Sequence, residues 1–368
     1  MTPRQRILNA LDHQPPDRTP VDGWFHPEVV VALKRHFQTD DWATVLEHLG
    51  IDGWTELAPS IHFAEFDAKA GPRPGHRAGD RAVWIDESTY EDGWGIRFRL
   101  GRSDRYQRWL SGPLQSAETS DDVLRYRFPS PDDVRQPPDY ANQVAALKAE
   151  GRFVTGEIDN PYKRFWHLRG YENALMDYRI NVPVLEAVYD RLYPLATELA
   201  LRMARAGVDM IQVVGDVAMQ DRIIMGPELW RKYDKPRWAS LIDACRAVNP
   251  ETIFFFHSDG KLTDLMDDLV DVGFTVINPI QPECMDPVDV KRRWGDRITL
   301  HGGISIQRTL PFGTAADVRR EVEDLIRACG YNGGLIMMPS NTIQPDTPVE
   351  NIVACYAAAR KLDPRKLG

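Results

Sequence analysis

Six apolar stretches between residues 152 and 340 end in polar side chains, and segments of helical period separate them. The stretches are "RFVTGE" (152–157), "DMIQVVGD" (209–216), "TIFFFHSD" (252–259), "FTVINPI" (274–280), "RITLHGG" (297–303) and "GLIMMPS" (334–340). The intervening segments include "PVLEAVYDRLYPLATELALRMARAG", "PELWRKYDKPRWASLIDACRAVN", "KLTDLMDDLVDVG" and "TAADVRREVEDLIRACG". Strands that are apolar throughout, rather than on alternate residues, are buried on both faces; a parallel sheet covered by helices meets that requirement. An early "TPVDGW" raises the count to seven strands, one short of a closed eight-stranded barrel. An open doubly wound sheet is the alternative, although no glycine-rich phosphate fingerprint follows the first strand.

Residues 1–150 are less regular. A helix is expected at "PRQRILNALDH", further helices around 27–37 and 41–49, and a hairpin in the alternating "TYEDGWGIRFRLGR". A Gly/Pro-rich surface loop spans 69–81, and a proline-punctuated crossing at 128–140 leads into the regular 151–368 part. The chain of 368 residues, 43% hydrophobic, is read as one domain with an ample core. A formal net charge of -9, with no dense basic block, argues against a nucleic-acid partner. No long apolar window or signal-type segment occurs, so a soluble cytoplasmic protein without membrane contact is expected. The cysteines form no CxxC pair; Cys245, Cys329 and Cys355 fall in helical segments as small hydrophobes, and Cys284 lies in the loop "QPECMDP".

The strand ends carry the chemistry. They present Glu157, Asp216, His257 with Asp259, Asn278 with Gln281, His301, and Ser340 with Asn341. In a parallel barrel these ends converge on the face where active sites are built. A single buried histidine is commonly a satisfied core residue, but two histidines and three acids on successive strand ends point to a catalytic rim. His257, Asp259, Glu157, His301 and Asp216 are therefore the candidate catalytic residues.

The segments "TPRQRILNALDHQPPDRTPV", "LRGYENALMDY", "GDVAMQDRIIMGPELWRKYDKPR", "FFFHSDGKLTDLMDDLVDVGFTVINPIQP" and "GGLIMMPSNTIQPDTPVENIVACYAAAR" together resemble the uroporphyrinogen decarboxylase superfamily. The resemblance implies a (β/α)8 TIM barrel with an N-terminal elaboration. True decarboxylases of that superfamily carry a Met-Arg-Gln-Ala-Gly-Arg type segment after the first strand, whose arginines hold the substrate's carboxylates. Here the chain reads "VDGWFHPEVVVALKR", without that clamp.

The other branch comprises methyltransferases that work with corrinoid proteins. Its thiol-activating members hold zinc through a His-x-Cys pair and a later cysteine; the matching positions here are His257, Asp259 and Asn341. The departure argues against thiol activation. It favours a demethylase component that moves a methyl group from a small donor, such as a methoxylated aromatic, to a corrinoid on a separate protein, since the chain has no D-x-H-x-x-G motif. His257, Asp259, Glu157 and His301 would stabilise the leaving group through a metal, zinc being the candidate, or as general acids. Cys284 is a further candidate ligand beside His257 and Asp259. Trp24, Trp54, Trp94 and Tyr90 would suit an aromatic pocket, against core packing as the plainer account. Tyr162, Arg164, Trp166, Trp24, Asn278, Gln281 and Asn341 are candidate substrate-binding residues. The alternatives are a lyase that decarboxylates a ring such as a tetrapyrrole or a smaller aromatic, with His301 or Asp216 as proton donor, and a non-catalytic ligand-binding barrel. A homodimer is expected from similar barrels.

Overall fold

A computed structural model describes residues 1–72, 81–101 and 107–367; most of the expected 69–81 loop therefore lies outside the described residues. A parallel sheet runs through Thr55–Glu56, Val154–Asp159, Met210–Val214, Ile253–His257, Val276–Ile280, Thr299–Ile304 and Leu335–Pro339, in that order. The sheet curls, and helices cover its outer face. Phe254 and Phe256 point outward, against Phe274, while Phe255 points inward toward Trp54 and His301. All three phenylalanines are fully buried, each contributing about 1.5–3 kcal/mol of transfer free energy.

The eighth barrel position differs from expectation. "TPVDGW" forms a single bridge, Val21 to Met337, and the strand that the sequence reading lacked is the two-residue Thr55–Glu56. Met337 N–H donates to the Pro20 carbonyl (2.9 Å), Asp22 N–H to that of Met337 (3.0 Å), and Asp52 N–H to that of Val21 (2.9 Å). Residues 20–22 thereby span the gap between the first and last strands. A proline at position 20 has no N–H to extend the ladder. A Cβ on Gly23 would collide with the Tyr356 hydroxyl, which donates to the Asp22 carbonyl at 3.1 Å, so glycine is what lets the chain pass there.

Asp52 holds this closure. Its side chain is 1% exposed and accepts from Arg6 Nη1 (2.5 Å), Arg18 Nη1 (2.7 Å) and the Val21 N–H (3.0 Å). Arg6 lies on the helix Pro3–Leu11, which Thr2 and Gln5 start with a reciprocal capping box. That helix closes the base of the barrel: Ile7 and Ala10 pack with Phe153, Met210, Phe255, Val276 and Ile336, and Arg4 pairs with the buried Asp209 at 2.7 Å.

The N-terminal elaboration carries an antiparallel sheet of Gly71–Pro72, Arg81–Trp84, Thr89–Glu91, Arg97–Leu100 and Gln107–Ser111, which includes the expected hairpin. Arg164 ties it to the barrel. The guanidinium bonds Asp159 at the end of its strand, lies 3.3 Å from Asp92, and sits 4.8 Å from the centre of the Trp94 ring. Burial opposes the charge on Asp159, but Lys163 and Arg164 more than compensate and hold its carboxyl far below the usual range. Among the described residues no helix is long and apolar enough to cross a membrane.

Between the outer helices, Asp234 is fully buried and accepts from the hydroxyls of Tyr178 (3.1 Å), Tyr189 (3.0 Å) and Tyr193 (3.0 Å). Burial outweighs these bonds and raises its pKa to about 6.

Two outcomes follow from these buried carboxylates. Asp52→Ala should lower the stability by about 3 kcal/mol or more, because two guanidiniums lose their shared partner; a urea-unfolding loss below about 1 kcal/mol would show that the closure does not depend on Asp52. Asp234 favours its protonated form in the fold. Its stabilising contribution is complete below the unfolded value of 3.8 and is lost as the pH rises through about 6. Relative to Asp234→Asn, the natural protein should lose on the order of 3 kcal/mol between about pH 4 and about pH 7. Parallel pH–stability curves would contradict this.

Candidate functional site

Strand alternation sends His257 inward, two residues beyond Phe255, to the C-terminal end of the barrel. Its Nε2 lies 3.8 Å from Asp216 Oδ1 and 4.0 Å from Asp259 Oδ1. The backbone N–H of Asp259 donates to Asp216 Oδ1 at 2.8 Å, and Asn341 Nδ2 donates to Asp259 Oδ2 at 2.7 Å. One donor atom from each of Asp216, His257 and Asp259 lies within 4.8 Å of the other two.

Burial drives the Asp259 pKa up; His257 opposes this, the neighbouring Asp216 adds to it, and the bond from Asn341 opposes it again. Its Oδ1 is shielded yet accepts no hydrogen bond. Two adjacent carboxylates and an imidazole nitrogen form a set that a divalent cation would neutralise. A tetrahedron with bonds of about 2.1 Å has edges of about 3.4 Å, so the three side chains would have to draw together to hold zinc, His257 Nε2 by about half an ångström toward each carboxylate. Zinc fits this nitrogen and oxygen set. The thiol of Cys284 does not belong to the group: the third mutually close donor is Asp216. Burial, Glu283 and Asp259 raise the pKa of that thiol, which makes it a poorer ligand still.

Below His257 runs a line of buried polar groups. His257 Nδ1 meets Asn278 Oδ1 at 2.5 Å, Asn278 Nδ2 meets His301 Nδ1 at 2.6 Å, and His301 Nε2 lies 3.3 Å from Asp22 Oδ2. Asn278 and His301 are inaccessible to solvent, and Asp22 is 6% exposed. Three rings flank this line: Trp24 has its centroid 5.6 Å from His257, and Trp54 and Phe255 lie 5.1 and 5.4 Å from His301.

The other expected site residues divide between the rim and the scaffold. Gln281 is buried and accepts from the Gly260 N–H at 3.2 Å, which steadies the turn after Asp259. Glu157 stands in register with Gln212 on the neighbouring strand. It lines, with Asp159, Arg164 and Trp94, a cleft of about 920 Å³ beside the rim, and none of the three close donor residues borders that cleft. Ser340 Oγ donates to the Ile304 carbonyl at 2.8 Å and joins two strands.

Five of the expected residues stand away from the three close donors. Tyr162 is fully buried against Tyr178, not on the rim, because Asn160 caps the helix Pro161–Arg169 and turns the next residue under it. Arg164 is occupied by Asp159 and Asp92. Trp166 packs on His167 at 4.0 Å and Tyr171 at 5.8 Å. Trp94 and Tyr90 belong to the core of the elaboration, which leaves Trp24 and Trp54 as the rings beside the histidines. Asp22 went unrecognised. Its signal was an acid within the apolar "TPVDGW", but the short bridge that aims it inward could not be read from periodicity.

No curated protein sequence matches the chain. Among solved structures, a methyltransferase from Methanosarcina mazei superposes with a TM-score of 0.62 at 20% identity, over 98% of this chain and 99% of that one. An endo-β-1,4-xylanase from Gloeophyllum trabeum aligns with a TM-score of 0.35 at 10% identity, over 59% of this chain and 78% of that one, too distantly to bear on function. The family model for uroporphyrinogen decarboxylase (URO-D) matches residues 115–362. That match takes in every barrel strand from Val154 to Pro339, together with His257, Asn278 and His301, and the chain belongs to the uroporphyrinogen decarboxylase (URO-D) family.

Proposed function

We propose that the protein is a substrate-side methyltransferase that moves a methyl group from a small methoxylated aromatic donor to a corrinoid carried by a separate protein. The observation that carries this reading is the Asp216, His257 and Asp259 group at the barrel mouth, with the Trp24 ring beside it. The methyltransferase neighbour with the same fold supports it.

The donor ring would pack against Trp24, which places its ether oxygen over His257 and the two carboxylates. Asp216, His257 and Asp259 would hold zinc. When bound, that ion supplies a Lewis acid for the departing oxygen. Asn341 fixes one oxygen of Asp259 and leaves the other facing the site. Transfer would break the carbon–oxygen bond with its electron pair staying on the oxygen as a phenolate, and the reduced corrinoid, as the acceptor substrate, would supply the pair for the new bond to the methyl carbon. A substrate with many carboxylates would need free guanidiniums, whereas Arg164 is bound to Asp159 and Asp92.

Two tests address this reading. With a reduced corrinoid protein and a panel of methoxyarenes, the cobalt spectrum should change to that of the methylated form with at least one donor. No change with any donor, alongside release of carbon dioxide from a carboxylated ring, would replace this reading with a lyase. In zinc titrations, His257→Ala should weaken binding by about 100-fold or more, and Cys284→Ala should leave it within about twofold. Equal losses in both variants would place the metal elsewhere.

A further inference from the structure

The line from His257 to Asp22 has a direction. An amide has one accepting and one donating end, so Asn278 can face His257 with its oxygen only if its nitrogen faces His301. With Asn278 Nδ2 donating at 2.6 Å, His301 Nδ1 is an acceptor, and a neutral His301 carries its proton on Nε2. That nitrogen lies 3.3 Å from Asp22 Oδ2, at ion-pair distance rather than in an aligned hydrogen bond. The preference is electrostatic, and the surroundings are dry enough to make it strong. Reversing the amide would move the His301 proton to Nδ1 and set a bare nitrogen lone pair against the enclosed Asp22 carboxylate; the orientation present instead leaves His257 Nε2 bare toward Asp216 and Asp259, which stand farther off, at 3.8 and 4.0 Å, and are screened by solvent, so the buried end decides the direction.

We propose that Asp22, His301 and Asn278 are positioning residues that fix His257 as its Nδ1–H tautomer, leaving Nε2 as a lone pair aimed between Asp216 and Asp259. The inference deepens the zinc-holding reading above and rests on it for its purpose, though not for its test. His257 Nδ1 donates to Asn278 Oδ1 at 2.5 Å, which satisfies the only nitrogen not directed at the two acids. A histidine ligates a metal through its unprotonated nitrogen, and the bond made by the other nitrogen decides which one that is. Asp22 is the far end of the device. It sits in place because its own N–H bonds Met337 at 3.0 Å and its carbonyl accepts from Tyr356 at 3.1 Å.

The test separates the tautomer from the metal. Long-range proton–nitrogen NMR of the metal-free protein with ¹⁵N-labelled histidine, at a pH where both rings are neutral, should show His257 as Nδ1–H and His301 as Nε2–H. Finding His257 as Nε2–H overturns the proposal whether or not zinc binds; the expected tautomers with no zinc affinity would uphold the device and overturn the metal reading instead. Variants give the second readout. Asn278→Asp keeps an acceptor for His257 and should retain zinc binding within about threefold, whereas Asn278→Leu should lose about 10- to 100-fold with all three ligands present. Equal losses in the two variants would reduce Asn278 to a packing role and overturn the proposal.

Discussion

The closure of the barrel rests on one carboxylate. Every strand of a parallel sheet has two edges to satisfy, and a barrel exists only when the first and last strands find partners. Here the gap is bridged by residues 20–22, too short a stretch to hold itself, and Asp52 grips it by taking the Val21 N–H and two guanidiniums on one side chain. The consequence reaches the site. Once Val21 is fixed, Asp22 and Trp24 are delivered beside the two histidines, and the last strand is held where Asn341 can reach Asp259.

The regular half was legible because its physics is repetitive. Continuous apolar runs of five or six residues have one comfortable environment, and the polar groups that terminate them must emerge on a common rim. His257, Asp259 and Asp216 could be selected on that ground. The remainder depends on contacts with no period. Thr55–Glu56 is two residues long, and the 20–22 bridge is a strand only because Met337 and Asp52 lie on either side of it.

The misread residues share a cause. Tyr162 and Arg164 follow a barrel strand, as catalytic residues do, but a helix begins at Pro161 and rotates them off the rim, one into the core and the other onto the antiparallel sheet. Cys284 follows the strand Val276–Ile280, yet its loop does not bring the thiol into the donor group. Position after a strand states which end of the barrel a residue occupies. The direction of its side chain is decided by the local turn, and no composition or spacing records that.

The helix Pro3–Leu11 across the base makes the barrel a cul-de-sac. His301 is wholly enclosed with Asn278 above it, and the polar line reaches the barrel mouth at His257, beside Trp24. A proton or small solute entering that mouth meets the polar line from its outer end, while Trp54 and Phe255 pack against His301. The inner imidazole is thus kept out of step with the bulk solvent: its hydrogen should trade with water through His257 or by opening of the Asp22 segment, and both routes involve parts that hold the barrel or the site together.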